Sequence, residues 1–472
     1  MNIDILKEMI ESKKDIFIDV NDKIWDYAEM RYKEFKSSEL QCSVLEKQGF
    51  QVTKNLGNIE TAFMGSYGSG KPVIGILGEF DALSALSQKA DAREKTPIVQ
   101  GGSGHGCGHN TLGSASLEAA VAVKDYMEKN NLKGTIRYYG CPAEESGAGK
   151  AFMVREGCFD DVDICLTWHP SYLNTLFGKD SLANVRVYFT FKGKSSHAAA
   201  TPHLGRSALD GVELMDVGVN YLREHIIPEA RVHYAITNSG GDAANVVQAE
   251  AQVFYSIRAP KMSQVREIYE RVKNVAEGAA LMTGTKVEPK VVGAYANCIG
   301  NKTLNGILTK NLKAILPIDY SKEDLEYADS FKKTIPESDL KALEYMAEGF
   351  LGDSDKAKYL MKKPIVDFLC PPIKMPGSTD VGDVSWVVPT GQISVACYAM
   401  GTPNHSWQMT SQGKSSLAHK GMIATSKVLA MSAIEILEDD SIIERAKEDL
   451  KKELRGEEYI SMIPKDVHPR NI

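Results

Sequence analysis

Apolar and polar positions alternate along the first third of the chain in blocks that predict strands and helices in turn. Residues 73–78 and 134–140 are short apolar runs that indicate buried strands, whereas residues 111–129 repeat apolar side chains along one helix face. A third apolar run, at 163–168, follows a short helical segment at 148–155. Strands that alternate with helices are typical of an α/β fold in which the strands form one sheet.

The pattern changes after residue 182, where strands with alternating polar and apolar residues predominate. The predicted order is strand, helix, strand, strand, helix, strand, at residues 184–191, 207–225, 231–236, 246–259, 263–282 and 286–294. This is the order of a ferredoxin-like α+β unit. The sequence therefore predicts a mixed-sheet α/β domain at 1–182 and 296–472, with a complete α+β domain inserted at 183–295. The charged stretch at 318–345 is predicted to be a solvated surface insertion.

Composition restricts the class of protein. A chain of 472 residues is too long for one core, which agrees with two domains. The net charge of -7 argues against a nucleic-acid surface. We expect a cytoplasmic protein, because the chain has no apolar run that could span a bilayer and no signal-peptide pattern. The eight cysteines are scattered, as buried thiols in a reducing compartment are.

A glycine-rich stretch at 101–110 contains Cys107 and His109. Five of its ten residues are glycine, so the backbone can pass close to something small. In an extended loop, side chains two positions apart point the same way. A thiolate and an imidazole side by side suit a borderline-soft divalent metal. A flexible polar loop is the alternative that this motif alone leaves open.

Other polar side chains follow the predicted strands. Asp81 comes after the first strand, the pair Glu144–Glu145 after the second, and His169 after the third. Because ligands bind outside the carboxyl ends of strands in such sheets, we expect these residues to meet the glycine-rich loop. Neighbouring glutamates on an extended segment point to opposite sides, so one can bind metal while the other acts as a general base. The alternatives are a solvated turn for the glutamates and a core position for His169.

Residues 65–71 nearly match a phosphate-binding loop. The match fails at Pro72, which stands where a Ser or Thr should hold magnesium, and a strand follows instead of a helix. We therefore predict a hairpin turn here, with no nucleotide.

Four motifs together resemble a known family. They are Cys107-Gly-His-Asn, Pro142-Ala-Glu-Glu-Ser-Gly-Ala-Gly, Trp168-His-Pro and Asn404-His-Ser. Their order is similar to that in the co-catalytic metallopeptidases, which include aminoacylases, glutamate carboxypeptidase and auxin-conjugate amidohydrolases. Three further stretches, at 79–83, 204–210 and 377–386, look most like the B-type subunits of aminobenzoyl-glutamate hydrolases.

The resemblance implies a role for each candidate residue. It implies that two divalent ions, zinc or manganese, are bound by Cys107, His109, Glu145, His169 and His405, and that Glu144 is the general base. His105, in the same glycine-rich loop, is left as a supporting or structural residue.

Further roles are implied outside the ligand set. Asp81 matches an aspartate that orients a metal-bound histidine, and Glu79 stands where other branches have a metal-binding histidine. The inserted domain would be a lid and dimerisation domain. Its His197 matches a histidine that reaches a neighbouring subunit's site and steadies the oxyanion. Asn245 and Arg258 match lid residues that grip the substrate's carboxylate.

These observations predict a two-metal amidohydrolase that cleaves an N-acyl or N-aroyl amino acid such as p-aminobenzoyl-glutamate. Metal-bound hydroxide would attack the carbonyl, with Glu144 as base. We expect a homodimer, or a heterodimer with a related subunit. The alternatives are a dipeptidase or aminoacylase with another substrate, a non-catalytic metal-binding scaffold, and a cysteine hydrolase that uses Cys107 with His109 as its base.

Overall fold

The computed structural model describes residues 2–176, 181–373 and 377–469. None of the helices within those ranges is long and apolar enough to cross a membrane. The chain divides into two compact units. One comprises Met1–Lys179, Ile299–Met375 and Val384–Tyr459, and the other comprises Asp180–Cys298, Pro376–Asp383 and Ile460–Ile472.

The strands, in chain order, are β1 (Gln51–Lys54), β2 (Phe63–Ser69), β3 (Val73–Glu79), β4 (Gly134–Cys141), β5 (Ile164–Ser171), β6 (Thr175–Leu176), β7 (Ala183–Lys192), β8 (Arg231–Asn238), β9 (Glu250–Ala259), β10 (Lys286–Tyr295) and β11 (Thr390–Ala396). The helices are α1 (Ile3–Tyr27), α2 (Phe35–Lys47), α3 (His109–Asn130), α4 (Glu144–Gly147), α5 (Gly149–Arg155), α6 (Ala208–Leu222), α7 (Met262–Thr283), α8 (Lys302–Ile315), α9 (Lys322–Lys332), α10 (Glu337–Leu351), α11 (Ser354–Lys362), α12 (Val381–Val387), α13 (Trp407–Gln412), α14 (Ser416–Glu438) and α15 (Ser441–Leu454).

The first unit contains a seven-stranded mixed sheet in the order β1-β2-β4-β3-β5-β11-β6. Its central strands β4, β3, β5 and β11 are parallel, and every residue of β3 and β11 is buried. Parallel strands covered on both faces need such continuous apolar runs. Because the four strands are parallel, their carboxyl ends lie at one edge of the sheet. The predicted mixed α/β fold is confirmed.

The prediction of a hairpin turn at residues 65–71 is wrong. Residues 65–69 belong to β2, and β2 pairs with β4 instead of with β3. Strands β2 and β3 therefore flank β4, and their connection is not a hairpin. A local turn signal cannot distinguish these cases, because strand order depends on contacts distant in sequence.

Helix α3 is packed deep in the first unit, against the sheet and against α1 and α14. Seventeen of its 22 residues are buried, including Leu112, Leu117 and Val121. The buried Trp168 of β5 donates its indole N–H to the carbonyl of Leu112 at 3.0 Å. Burying a side chain such as Leu117 or Val121 contributes roughly 1.5–3 kcal/mol. This packing fixes the start of α3, at His109, against the carboxyl edge of the sheet.

The acidic insertion at 318–345 is not merely a solvated surface. Helices α9 and α10 enclose an apolar cluster that includes Phe331 and Ala347, and Met361 of α11 joins it. Most of the charged residues lie on the exposed helix faces, although Asp324 is buried and pairs with Lys420. The high frequency of charges made the amphipathic pattern difficult to recognise in the sequence.

The second unit contains an antiparallel sheet in the order β10-β7-β9-β8, with α6 and α7 packed on it. On β9 buried and half-buried residues alternate, as the sequence pattern predicts for a sheet with one covered face. The order of elements and strands is that of the ferredoxin-like unit, which confirms the α+β prediction. The exact domain limits 183 and 295 stay a prediction.

A buried acid makes the stability of the first unit depend on pH. Glu118 of α3 is buried, and its Oε2 accepts a hydrogen bond from the Ser426 hydroxyl at 2.6 Å. Burial raises the pKa of Glu118 to about 8 from its ordinary 4.5, against the opposing effect of Ser426. At pH values between 4.5 and about 8, the folded state keeps the proton that the unfolded state releases. Stability is therefore lost as pH rises through this window, by up to about 1.4 kcal/mol per pH unit.

We expect Glu118→Gln to keep the Ser426 hydrogen bond and to flatten this dependence. Urea unfolding at pH 5, 6, 7 and 8 measures it, with Glu46→Gln at an exposed position as the matched control. The variant should gain stability over the wild type mainly at pH 7 and 8. An equal change at all four pH values would show that Glu118 is not the titrating group.

Candidate metal centre

The glycine-rich loop enters α3 through a left-handed residue. Gly108, with φ 77°, is the N-cap, and His109 is the first helical residue. The segment is therefore not the extended loop that we predicted. A Cβ on Gly108 would lie 2.2 Å from the Tyr398 hydroxyl. Glycine is required here for both its backbone conformation and its lack of a side chain.

We expect Gly108→Ala to destabilise the protein by about 2–4 kcal/mol and to lower its metal content, because left-handed strain adds to a clash with a fully buried tyrosine. Gly101→Ala is the matched control. Gly101 lies in the same loop with φ 71°, but a Cβ there would meet nothing within 4 Å. The control should show only the backbone cost, about 1 kcal/mol. Similar losses in thermal melts of both variants would contradict the packing argument.

Asp81 contacts both His109, at the end of the glycine-rich loop, and the segment that carries Glu145. It follows β3, and its Oδ1 lies 2.8 Å from His109 Nδ1. Its Oδ2 accepts a hydrogen bond from the backbone N–H of Glu145 at 2.9 Å. Asp81 therefore orients the imidazole and holds the glutamate segment at the same time. Burial alone would raise the pKa of Asp81, but the adjacent His109 holds it below its ordinary value.

Glu144 and Glu145 occupy a single helical turn, α4, and not the extended segment that we predicted. Ala143 before them has φ 62°, a left-handed conformation that turns the chain sharply after β4. The two carboxylates still face different partners. Glu145 belongs to a group with Cys107, and Glu144 belongs to a group with His109.

Three residues before α2 hold this turn, and sequence reasoning missed them. The buried Glu34 accepts a hydrogen bond from the N–H of Ala143 at 3.0 Å. The Tyr32 hydroxyl donates to the Gly147 carbonyl at 2.6 Å, and Arg31 donates to the Ser146 carbonyl at 3.1 Å. They lie about 110 positions from the turn, so no local pattern could have pointed to them.

The two remaining histidines approach from strand β5 and from the turn that precedes α13. Nε2 of His169, on β5, lies 3.4 Å from the Cys107 sulfur. His405 has φ 55° and donates its backbone N–H to the Gly106 carbonyl at 2.8 Å. Its Nε2 is 3.5 Å from Glu145 Oε2, and its side chain is 54% exposed. The structure thus brings together all five predicted ligands.

Their donor atoms fall into groups that could each hold one ion. Within a group all the donor atoms lie within 4.8 Å of one another, and the groups are Cys107, His109 and His169; Cys107, Glu145 and His405; and Glu79, His109 and Glu144. Cys107 is shared by the first two groups, as a bridging ligand would be. Two donors bound to one ion at about 2.0–2.3 Å are roughly 3–3.5 Å apart, which matches the separations above. His105 is in none of these groups, and its Nε2 lies 3.0 Å from the Ile24 carbonyl.

The electrostatics of the centre favour a cation. Burial raises the pKa of the Cys107 thiol well above its ordinary value, and the neighbouring Glu145 adds to this. Burial also raises the pKa of Glu145 to about 7, and lowers that of His169 to about 4. Within the described part of the chain, His109 Nε2 and Glu145 Oε1 are buried without a hydrogen-bond partner. The donor set therefore fits divalent metal ions of the kind that nitrogen, oxygen and sulfur bind together.

A buried lysine also lies at the centre. Lys150 of α5 is fully buried, and its Nζ is 2.6 Å from Glu79 Oε1. The signal available in the sequence was a lone charge in the apolar run Ala148-Gly-Lys-Ala-Phe-Met. Charged residues in such runs are rarely buried unless they are paired.

The three predicted lid residues all lie in the second unit, at two places. His197 forms a bridge with Val246, and Nδ1 of its ring accepts hydrogen bonds from two backbone N–H groups. The adjacent Asn245 carbonyl accepts a hydrogen bond from the N–H of Ala198. Arg258 lies near the far end of β9, about 26 Å along the strand from Glu250. Asn245 and Arg258 of one chain therefore cannot contact the same small carboxylate.

Residues 75–372, more than half of the chain, match the model of peptidase family M20/M25/M40. Together with the fold and the group of donor atoms, this match places the chain in that family. The chain belongs to peptidase family M20/M25/M40 and is a metal-dependent amidohydrolase, as the motifs predict.

Particular relatives extend the similarity to nearly the full length. The chain is 44% identical over 470 residues to the B-type subunit of p-aminobenzoyl-glutamate hydrolase from Escherichia coli, covering 98% of each chain. It is 27% identical over 454 residues to Xaa-Arg dipeptidase of Mus musculus, covering 93% of this chain and 89% of that one. A dinuclear metal-binding peptidase of Bacillus subtilis has the same fold, with a TM-score of 0.56, 16% identity, and coverage of 91% and 99%.

Proposed function

We propose that this amidohydrolase cleaves the amide bond of an N-acyl or N-aroyl amino acid, with p-aminobenzoyl-glutamate as the first candidate. The observation that carries the proposal is the convergence of Cys107, His109, Glu145, His169 and His405 at one sheet edge, with Glu144 beside them. The 44% identity to one component of a p-aminobenzoyl-glutamate hydrolase supports the choice of substrate.

The five convergent residues would hold two divalent ions, and the mixed donor set admits zinc or manganese. When bound, such a pair polarises a carbonyl and lowers the pKa of bound water to about 7. Asp81 keeps His109 in the tautomer with the proton on Nδ1, which leaves Nε2 free to bind. Glu144 takes the proton from the attacking water and passes it to the leaving amine, so one carboxyl serves as base and then as acid.

The second unit would supply the groups that recognise the rest of the substrate. The backbone N–H groups that donate to His197 Nδ1 fix its proton on Nε2, which suits it to donate to an oxyanion. The guanidinium of Arg258 suits a carboxylate. Since Asn245 and Arg258 of one chain are far apart, a shared grip on one carboxylate needs a second copy or a related subunit. The Escherichia coli relative is named as one of two kinds of subunit, which supports pairing with a related chain.

The test is a screen for amine release. The purified chain, alone and mixed with a related subunit, is given p-aminobenzoyl-glutamate, other N-acyl amino acids and Xaa-Arg dipeptides, with zinc or manganese. We expect the aroyl-glutamate to be hydrolysed fastest, a chelator to abolish turnover and added metal to restore it. Turnover that survives chelation would favour the cysteine hydrolase. Metal-loaded protein inactive in every mixture would favour the scaffold.

We also propose a cytoplasmic location. The support is chemical: all eight cysteines are free, and seven of them are buried.

A further inference from the structure

The ion pair between Lys150 and Glu79 is buried in the metal centre, and the mechanism above does not use it. Nζ and Oε1 are 2.6 Å apart, and the side chains are 0% and 3% exposed. Moving two charges out of water is costly, and a buried pair of this kind adds little stability compared with apolar side chains of the same volume. Its presence beside the candidate ligands therefore indicates a role in the site.

The second oxygen of Glu79 faces the ligand side of His109. Oε2 lies 3.2 Å from His109 Nε2. The other ring nitrogen, Nδ1, lies 2.8 Å from Asp81 Oδ1, so Nε2 is the ring atom that faces the Glu79 carboxylate. Nε2 has no well-aligned hydrogen bond within the described part of the chain, despite the short distance. Against the effect of burial, the nearby Cys107, Asp81 and Glu79 raise the pKa of His109 well above its ordinary value, so a positive charge is favoured at this pair. A metal ion bound to both Nε2 and Oε2 would supply that charge in place of a proton.

The separation fits such an ion. Nitrogen and carboxylate ligands bound at about 2.0–2.2 Å to one ion are roughly 3–3.4 Å apart for the usual angles. The 3.2 Å between Glu79 Oε2 and His109 Nε2 lies in that range. Glu79, His109 and Glu144 also have their donor atoms within 4.8 Å of one another.

The balance of charges in the centre explains the presence of Lys150. With the ligands ionised, the centre holds five negative charges, on Cys107, Glu79, Asp81, Glu144 and Glu145. Two divalent ions supply four positive charges, and Lys150 supplies the fifth. Because Lys150 occupies Oε1, it leaves Glu79 one oxygen for a metal.

This inference rests on the two-metal centre of the proposed function. We propose that Glu79 is a sixth protein ligand, which binds one ion through Oε2. Lys150 is the positioning residue that keeps this carboxylate monodentate. Glu79 therefore does more than fill the place of a histidine. It brings a negative charge to the ion, and the buried lysine balances that charge.

The test compares Glu79→Gln, Lys150→Met and the double variant with the wild type. Lys54→Met, which breaks the exposed pair with Glu39, is the matched control. Metal content is measured by elemental analysis, affinity by chelator competition, and coordination by the visible absorption of the cobalt-substituted protein. Circular dichroism establishes that each variant folds.

We expect Glu79→Gln to weaken one ion about 10–100-fold and to change the cobalt spectrum, while the other ion stays. Lys150→Met should change the spectrum in a different way, because the freed carboxylate can bind through both oxygens. The double variant should match Glu79→Gln, since Lys150 acts through Glu79. If Lys150→Met fails to fold, the double variant, which has no unpaired charge, still tests this point.

Two outcomes would overturn the inference. Either Glu79→Gln keeps both ions with wild-type affinity and spectrum, or Lys150→Met has its effect even when Glu79 is already glutamine. A wild-type protein that binds no metal would instead overturn the proposed function, so the two failures are distinguishable.

Discussion

Replacing Glu144 by glutamine is expected to lower kcat on the best substrate of the screen by about 10²–10⁴-fold, the range that general acid–base catalysis contributes. The amide keeps the shape of the side chain but cannot take a proton from water. The residues that hold the turn, Tyr32 and Glu34, bond to backbone atoms of Ala143 and Gly147 and are untouched. The loss should therefore appear in kcat with little change in KM.

The measurement is steady-state kinetics with metal content and thermal melting recorded on the same preparation. Glu156→Gln, at an exposed glutamate just after α5, is the matched control and should behave as the wild type. A Glu144→Gln protein that folds, holds metal and keeps full turnover would refute the assignment of the base. Loss of metal in that variant would instead make Glu144 a ligand.

Replacing Cys107 by alanine is expected to weaken the binding of both metal ions and to reduce activity to background. The reason is that the Cys107 sulfur belongs to two of the groups of donor atoms, so its loss leaves each of them with two side chains. Removing an ordinary ligand from one group should weaken one ion only. His405→Ala, which lies in a single group and is half exposed, gives that comparison.

Cys165→Ala is the matched control for Cys107→Ala. Cys165 is fully buried on the same strand as His169, and its loss removes a thiol without removing a ligand. It should cost stability by about 1 kcal/mol and keep both ions. A Cys107→Ala protein that keeps two ions and loses all activity would support the rival mechanism, in which Cys107 is the nucleophile.

Patterns within single segments of the sequence predicted much of the fold and of the candidate site. The periodicity of residues 73–78 and 111–129 predicted a buried strand and a helix because side-chain spacing is set by the local backbone. The strand and helix order after residue 182 predicted the ferredoxin-like unit. Motifs that each supply donor atoms, such as Cys107-Gly-His, predicted the residues that the structure then brings together.

Other features could not be predicted locally. The glutamate pair lies in a helical turn because Glu34 and Tyr32, distant in sequence, bond to the backbone around it. Likewise β2 and β3 do not form a hairpin, because β4 pairs between them.

By itself, the sequence determined the fold class, the candidate ligands and the family, because these depend on residue types and their spacing. Only the tertiary structure showed which donor atoms lie close enough together to share an ion, since that depends on separations of a few ångströms between residues far apart in sequence. It also revealed the Lys150–Glu79 pair, because burial of a charge and the identity of its partner are set by packing.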